Sequence, residues 1–432
     1  MKENLAKQLP VEGFPDWLQK RRQQSMSQFV GFPSSAHEDW RNTSWSHLEK
    51  DQLQAPMPGK FAQDDQIARY SLNHVGNTCV FFENGFLRTD LTHEWNLPAG
   101  VIVTPLAKAL REYPDFLKDY LVSHGSENNP FLSLNEALFS DGLLVHVPKG
   151  VTVHAPIEVV FYHSAPQVIT SPRVILIAEE NSRVVLVEVL AGHASGLTNS
   201  FTTVYANRAS HVEHYCLQEE ALDATSVITH EIHQQQDSHY TLNKIALGGR
   251  MARLTSSVSL DGPGANAVLN GLYLGEGTQV LDHHIRVDHL KPHGTSHQYF
   301  RGALQESSKG LFNDLVVVHQ GATKTSAHQS IKNLLLSEKA EGLPEPMLKI
   351  LNDDVQCSHG AAVGQLDASQ LFYLKARGIG EEEARMTLTF AFLNDIIDRI
   401  PLASFKSLAI ERMVSKFKGN EDAARHFYPC PL

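Results

Sequence analysis

A register of 28 residues runs through the middle of this 432-residue chain and restricts its fold more than any other feature. The small, polar, turn-like triplets Asn181-Ser182-Arg183, Ala209-Ser210-His211, Asp237-Ser238-His239 and Ala265-Asn266-Ala267 follow one another at that spacing, and Thr295-Ser296-His297 arrives 30 residues later. Each precedes an extended run: Val184 to Leu190, Val212 to Leu217, Tyr240 to Leu247, Val268 to Leu274 and Gln298 to Leu304. Further strand candidates lie between them, as at Phe201 to Ala206, Val227 to His233 and Leu254 to Leu260. A fixed period with two strands per unit calls for stacking, because one coil buries its apolar face only when the next covers it. The pattern predicts a mainly β chain: a right-handed parallel β-helix (solenoid) core with helical N-terminal and C-terminal regions. An antiparallel sandwich of coincident strand lengths is the alternative it leaves open.

The flanks read differently. Residues 1–130 form a partly helical N-terminal region that holds Trp17, Trp40, Trp45 and Trp95, with helical pieces at Pro15 to Gln28 and Pro105 to His124 and a loop at Ala55 to Lys60. Residues 131–366 form the β-helix core, with short strands beginning near Leu143. Residues 367–432 form a C-terminal helical domain. Asp367 and Gln370 match a capping box, and Gly378 suits the end of that first helix. A second helix from Glu381 places Met386, Phe390, Leu393, Ile397 and Ile400 on one face. A third, Leu402 to Lys418, offers Phe405, Leu408, Ala409, Met413 and Phe417.

Composition excludes some functions. With 42% apolar and 20% charged residues the chain is globular in type, and a net charge of −11 disfavours the phosphate backbone of nucleic acid. Met1 to Pro10 lacks the apolar run of a signal peptide, and no 18-residue apolar stretch follows, so a cytoplasmic location without membrane insertion is expected. Cys79, Cys216, Cys357 and Cys430 stand too far apart for a disulfide framework or a C-x-x-C knuckle, and Cys79, Cys216 and Cys430 read as structural thiols. Histidine, at 23 residues, is enriched.

The densest chemical candidate is Asn352 to Gly360. In an extended strand Cys357 and His359 point to one side, roughly 7 Å apart at their Cα atoms. A thiol and an imidazole suit iron or zinc, but two ligands make an incomplete site, so further groups must come from elsewhere or from a second chain. A hydrogen-bonded strand histidine and a small buried cysteine remain the bland readings of the pair. Asp353 and Asp354, as adjacent strand residues, face opposite sides. His211, His239 and His297 follow the triplets and can stack along one edge as a path for iron or another metal, and the spacing of His283, His284, His289 and His293, between two strand candidates, invites a metal reading; polar residues at solvent-facing corners are the bland alternative for both sets. No phosphate-binding G-x-x-x-x-G-K-[ST] loop is present, which argues against ATP hydrolysis by this chain.

One stretch carries a family resemblance. Phe300-Arg301-Gly302, Thr323-Lys324-Thr325, Asn333-Leu334-Leu335-Leu336-Ser337, the Asp353-to-Gly360 segment, Leu371-Phe372-Tyr373-Leu374 and Arg377-Gly378-Ile379 resemble the SufB/SufD family, and its SufD branch more than SufB. The resemblance covers the β-rich core and helical tail, and hardly the N-terminal region. It implies a non-catalytic scaffold in an ATP-dependent iron-sulfur cluster assembly complex: a heterodimer with a SufB-like paralogue and a SufC-like ABC ATPase held by the C-terminal helices, with a homodimer of the chain alone left open. It also implies that His359, with Cys357 beside it, faces a SufB cysteine at a subunit interface that receives iron or a nascent iron-sulfur cluster transiently. Ala361-Ala362, where the family often has Ala-Thr, and Asn313-Asp314, where a glycine is common, depart from the pattern without removing ligand chemistry. Two other readings stand beside it: a SufB-like paralogue that binds the cluster itself, and a polysaccharide-active β-helix enzyme.

Overall fold

The computed structural model describes residues 2–6, 13–35, 37–57, 61–72, 77–93, 97–121 and 129–416. Its centre is a β-solenoid of about eight turns. Each full coil gives one strand to each of two facing sheets. The first sheet runs through Arg183–Gly192, His211–Glu219, His239–Ala246, Asn266–Gly275, Thr295–Leu304 and Thr325–Leu335 to Val355–Gln365; the second runs through Gly196–Ala206, Thr225–Gln234, Met251–Leu260, Val280–His289 and Lys309–Val318 to Glu341–Ile350. All of these pair in parallel, which rules out the antiparallel sandwich.

The corners explain the triplets. Asn181, Ala209, Asp237, Gly264, His293 and Lys324 all have positive φ, between 54° and 71°, one or two residues before a first-sheet strand. That left-handed step turns the chain, and Asn, Asp and Gly take it most readily. Pairing then fixes the register: Arg183, His211 and His239 lie abreast, followed by Asn266 and Thr295. Here the structure departs from the sequence spacing, which aligned His239 with Ala267 and with His297. The coil from His239 to Asn266 and the next, to Thr295, are each one residue shorter than the triplet spacing, so His297 stands two positions along and pairs with Val268 and His328. His211 and His239 do stack, with ring centroids 4.4 Å apart, and His297 does not join them.

Between the sheets lies an apolar core that includes Val184, Leu186, Leu242, Leu254, Leu269, Phe300, Phe312 and Ile331. Outside the second sheet, Trp40, Trp45 and Phe131 pack on Ile169, Leu197, Val227 and Met251. The N-terminal region also contributes strands that no local repeat announced: Thr78–Glu83 pairs in parallel with Ile157–His163, and Ile102–Pro105 pairs antiparallel with Gly142–Val147. Helix Asp16–Gln28 forms as expected. The helix expected at Pro105 to His124 is instead two short ones, Leu106–Glu112 and Pro114–Leu117, because Pro114 cannot supply the amide that would continue the first. Trp95, His124, Phe417 and Cys430 lie outside the described residues.

The tail comprises helices Ala368–Ala376, Glu381–Ile397 and Ala403–Lys416. Asp367 caps the first, accepting from the Ser369 and Gln370 amides at 2.7 and 3.3 Å. The expected apolar face of the second is buried, and with Phe405, Leu408, Ala409 and Met413 it covers Tyr215, Leu217, Ile245 and Leu272 on the outer side of the first sheet. The tail therefore folds back along the solenoid. No helix among the described residues is long and apolar enough to cross a membrane.

A candidate metal site on an open sheet edge

Cys357 and His359 lie on Val355–Gln365, the last strand of the first sheet, which pairs on one side only, with Thr325–Leu335. Cys357 stands opposite Ala327, and His359 opposite Gln329. Alternation puts Val355, Cys357 and His359 on one face, and Val355 and Cys357 pack partly against the core between the sheets. The thiol and the imidazole thus look across the mouth of the last coil. Cys357 is half-buried and His359 exposed. Burial pushes the Cys357 thiol above its ordinary range, opposed by a backbone hydrogen bond from Ala327. A metal or a nearby cation would have to draw off that proton before the sulfur became a strong ligand.

The two strands that end the solenoid differ in how they present their free sides. In Glu341–Ile350 the amides of Glu341 and Leu351, at the same parity, donate inward to Ser308 and Val318, so the even positions face outward. Two of those, Pro344 and Pro346, have no N–H to offer. Val355–Gln365 carries no proline and no charged residue along its whole length. Native proteins normally blunt such an edge, and one left flat and uncharged is a template for another strand. The strand with the thiol and imidazole is the unblocked one.

Asp353 and Asp354 sit in the bend before this strand rather than on it; Asp354 pairs with Lys324 at 2.9 Å. The run from His283 to His293 also differs from its expected loop placement. His283, His284 and His289 are on strand Val280–His289 and His293 is at a corner. Their partners diverge: His283 stacks on Tyr273 and Phe312, His284 meets Asp282 at 3.0 Å, and His289 meets Ser296 at 2.9 Å. They do not converge on a common ion.

The comparisons with known proteins decide the family. The model described as SUF system FeS cluster assembly, SufBD core domain, matches residues 161–392, and the SufBD N-terminal region matches residues 6–159. The chain belongs to the SufBD family. It is 28% identical over 418 residues to an iron-sulfur cluster assembly SufBD family protein of Synechocystis, an alignment covering 93% of this chain and 92% of that one. It is 25% identical over 417 residues to the iron-sulfur cluster assembly protein SufD of Bacillus subtilis, covering 94% and 95%. The SufD of Escherichia coli is 28% identical over 226 residues, covering 52% of this chain and 53% of that protein. This is a SufD-like SufBD protein of iron-sulfur cluster assembly.

Sequence reading passed over one group. Glu188, Cys216 and Lys244 recur at the 28-residue period and stand abreast inside the SufBD core. The period itself was the signal that could have found them.

Proposed function

We propose that this chain is a non-catalytic scaffold subunit that pairs with a SufB-like paralogue through Val355–Gln365 and holds a SufC-like ABC ATPase on its helical tail. The observation that carries the reading is that Cys357 and His359 share the uncharged, proline-free edge of the solenoid. A partner strand added there would place its own side chains beside them, and these could supply the ligands that two residues lack. Iron or a nascent cluster is then cargo at the joint, handed on rather than kept. In the absence of the paralogue the same edge takes a second copy of this chain. A cytoplasmic location suits free thiols at Cys79, Cys216 and Cys357.

The tail supports the ATPase part of the reading. Helix Ala368–Ala376 buries none of its residues, and Phe372 and Tyr373 are 73% and 56% exposed. Exposed aromatics beside one another favour a protein partner. The next helix is packed on the sheet, so closure of the ATPase would be transmitted to the edge through a shift between two states of the joint.

The test uses the full chain co-expressed with its native partners. His359→Ala is expected to leave the complex assembled and to lower transfer of cluster to an apo-acceptor by roughly tenfold or more, the scale of losing an oriented metal ligand. Unaltered transfer from an intact complex rejects the role given to His359.

A further inference from the structure

Inside the solenoid, well away from the open edge in sequence and coil, the first sheet sets Glu188, Cys216 and Lys244 side by side on successive strands. Across the interior, His230 projects from the second sheet on strand Thr225–Gln234. A carboxylate oxygen of Glu188, the sulfur of Cys216 and a ring nitrogen of His230 all lie within 4.8 Å of one another, and all three residues are buried. We infer that these three side chains form a second, interior binding site for a divalent transition metal of the zinc class, separate from Cys357 and His359.

The hydrogen bonding singles out atoms with nothing to do. Glu188 Oε2 accepts from Thr202 Oγ1 at 2.9 Å and lies 3.2 Å from His214 Nε2, while Glu188 Oε1 has no hydrogen-bond partner among the described residues. Both nitrogens of His230, a residue 0% exposed, are likewise without one. Buried polar atoms left unpaired in this way destabilise the fold, and a ligand would satisfy them. The His230 imidazole is held neutral by burial, the form that coordinates.

The geometry and the donor types fit such an ion. Ligands about 2.0–2.3 Å from a tetrahedral zinc lie roughly 3.3–3.8 Å apart, so small side-chain rotations close the site. His214 is fixed between Glu188 and the Tyr240 hydroxyl, 3.0 Å from its Nδ1, and so orients the carboxylate in the manner of an outer layer around a metal. Lys244 Nζ donates to Cys216 Sγ at 3.2 Å and favours the thiolate, but burial outweighs it and the thiol stays raised, at about 12. Glu220 is also buried nearby. Binding breaks the Cys216 S–H bond, forms a metal–sulfur bond and releases the proton to solvent, so that the sulfur joins the carboxylate and the imidazole as a ligand.

Because the site is enclosed, loading belongs to folding. The full chain is therefore produced in cells grown in cobalt-supplemented minimal medium and purified without chelators. One cobalt per chain with a thiolate-to-metal charge-transfer band is expected, and Cys216→Ser and His230→Gln should each reduce retained cobalt at least roughly tenfold. Cys357→Ser and His359→Ala should leave the interior band in place, which separates this site from the edge. Circular dichroism confirms that each variant is folded. Wild-type chain without cobalt, or a band that survives Cys216→Ser, overturns the inference.

Discussion

Arg301 ties the sheet to the tail: its Nη2 lies 2.5 Å from Asp395 Oδ2 of helix Glu381–Ile397, while its Nη1 donates to the backbone of Phe300 and Ser330. The guanidinium of Arg399, just past the C-terminal end of that helix, lies 3.9 Å from the centre of the Tyr299 ring. The Arg301 side chain is 6% exposed and that of Asp395 43%, so the pair is only partly screened by solvent.

Asp395→Ala leaves a buried guanidinium without its carboxylate. Loss of about 1–3 kcal/mol is expected, less than for a fully buried pair because one partner faces water. Hydrogen exchange should show residues 381–397 opening before the strands do. Equal protection in wild type and variant would mean that apolar packing alone docks the helix.

Two glycines seat the aromatic interior. A Cβ on Gly302 would stand 2.1 Å from Tyr273 Cε2, and one on Gly271 2.0 Å from Phe300 Cε1. Gly302→Ala should therefore destabilise by about 3 kcal/mol, at the upper end of overpacking effects. Gly364→Ala on the open edge, where a Cβ meets nothing within 4 Å, is the control and should stay within about 0.5 kcal/mol. Thermal unfolding of the pair checks both.

Burial raises the Asp314 carboxyl to about 7, against which Gln329 pulls weakly. In the unfolded chain this group ionises near 4. Between those values the folded state holds the extra proton, so stability contributed by the protonated acid is complete below about pH 4 and is lost as pH rises through 7. Asp314→Asn should remove that slope and stabilise the chain at pH 8 by on the order of 2–4 kcal/mol. Denaturant titrations at pH 5 and pH 8 measure it; parallel curves for wild type and variant would sink the assignment.

The two terminal strands should respond differently to a lysine. Val363→Lys puts a charge on the unblocked edge and is expected to abolish strand pairing with a partner while leaving monomer stability within about 0.5 kcal/mol. Met347→Lys lies on the proline-bearing strand and should spare assembly. Size-exclusion chromatography with the co-expressed partners distinguishes them, and equal loss from both would spread the docking surface over the whole coil end.

Much of the architecture was legible because stacking makes each coil repeat the last. The corners Asn181, Ala209 and Asp237 share a backbone conformation, so they share a spacing. The tail was legible for a local reason: Met386, Phe390, Leu393 and Ile397 recur at helical intervals and Asp367 caps where its side chain reaches two amides. What stayed hidden depended on distance or on small offsets. Thr78–Glu83 pairs with Ile157–His163 across a long intervening segment, and no period marks such a partnership. The coils ending at Asn266 and Thr295, each one residue shorter than the triplets gave, moved His297 off the His211–His239 stack, and spacing counted from triplets could not detect those offsets. At the candidate site, the Cys357–His359 pair was visible as alternation, but the blocking of the neighbouring strand emerged only when pairing showed which way Pro344 and Pro346 face.

Because the solenoid finishes on an uncapped rung, its last coil lacks the covering layer every earlier coil receives. Backbone groups along Val355–Gln365 meet either water or another molecule, and the free energy of that rung shifts with whichever is there. The chain's resistance to heat is then partly a property of its company: a melting point measured in dilution describes an unfinished object, and the same sequence in a crowded mixture of its associates is a different thermodynamic species.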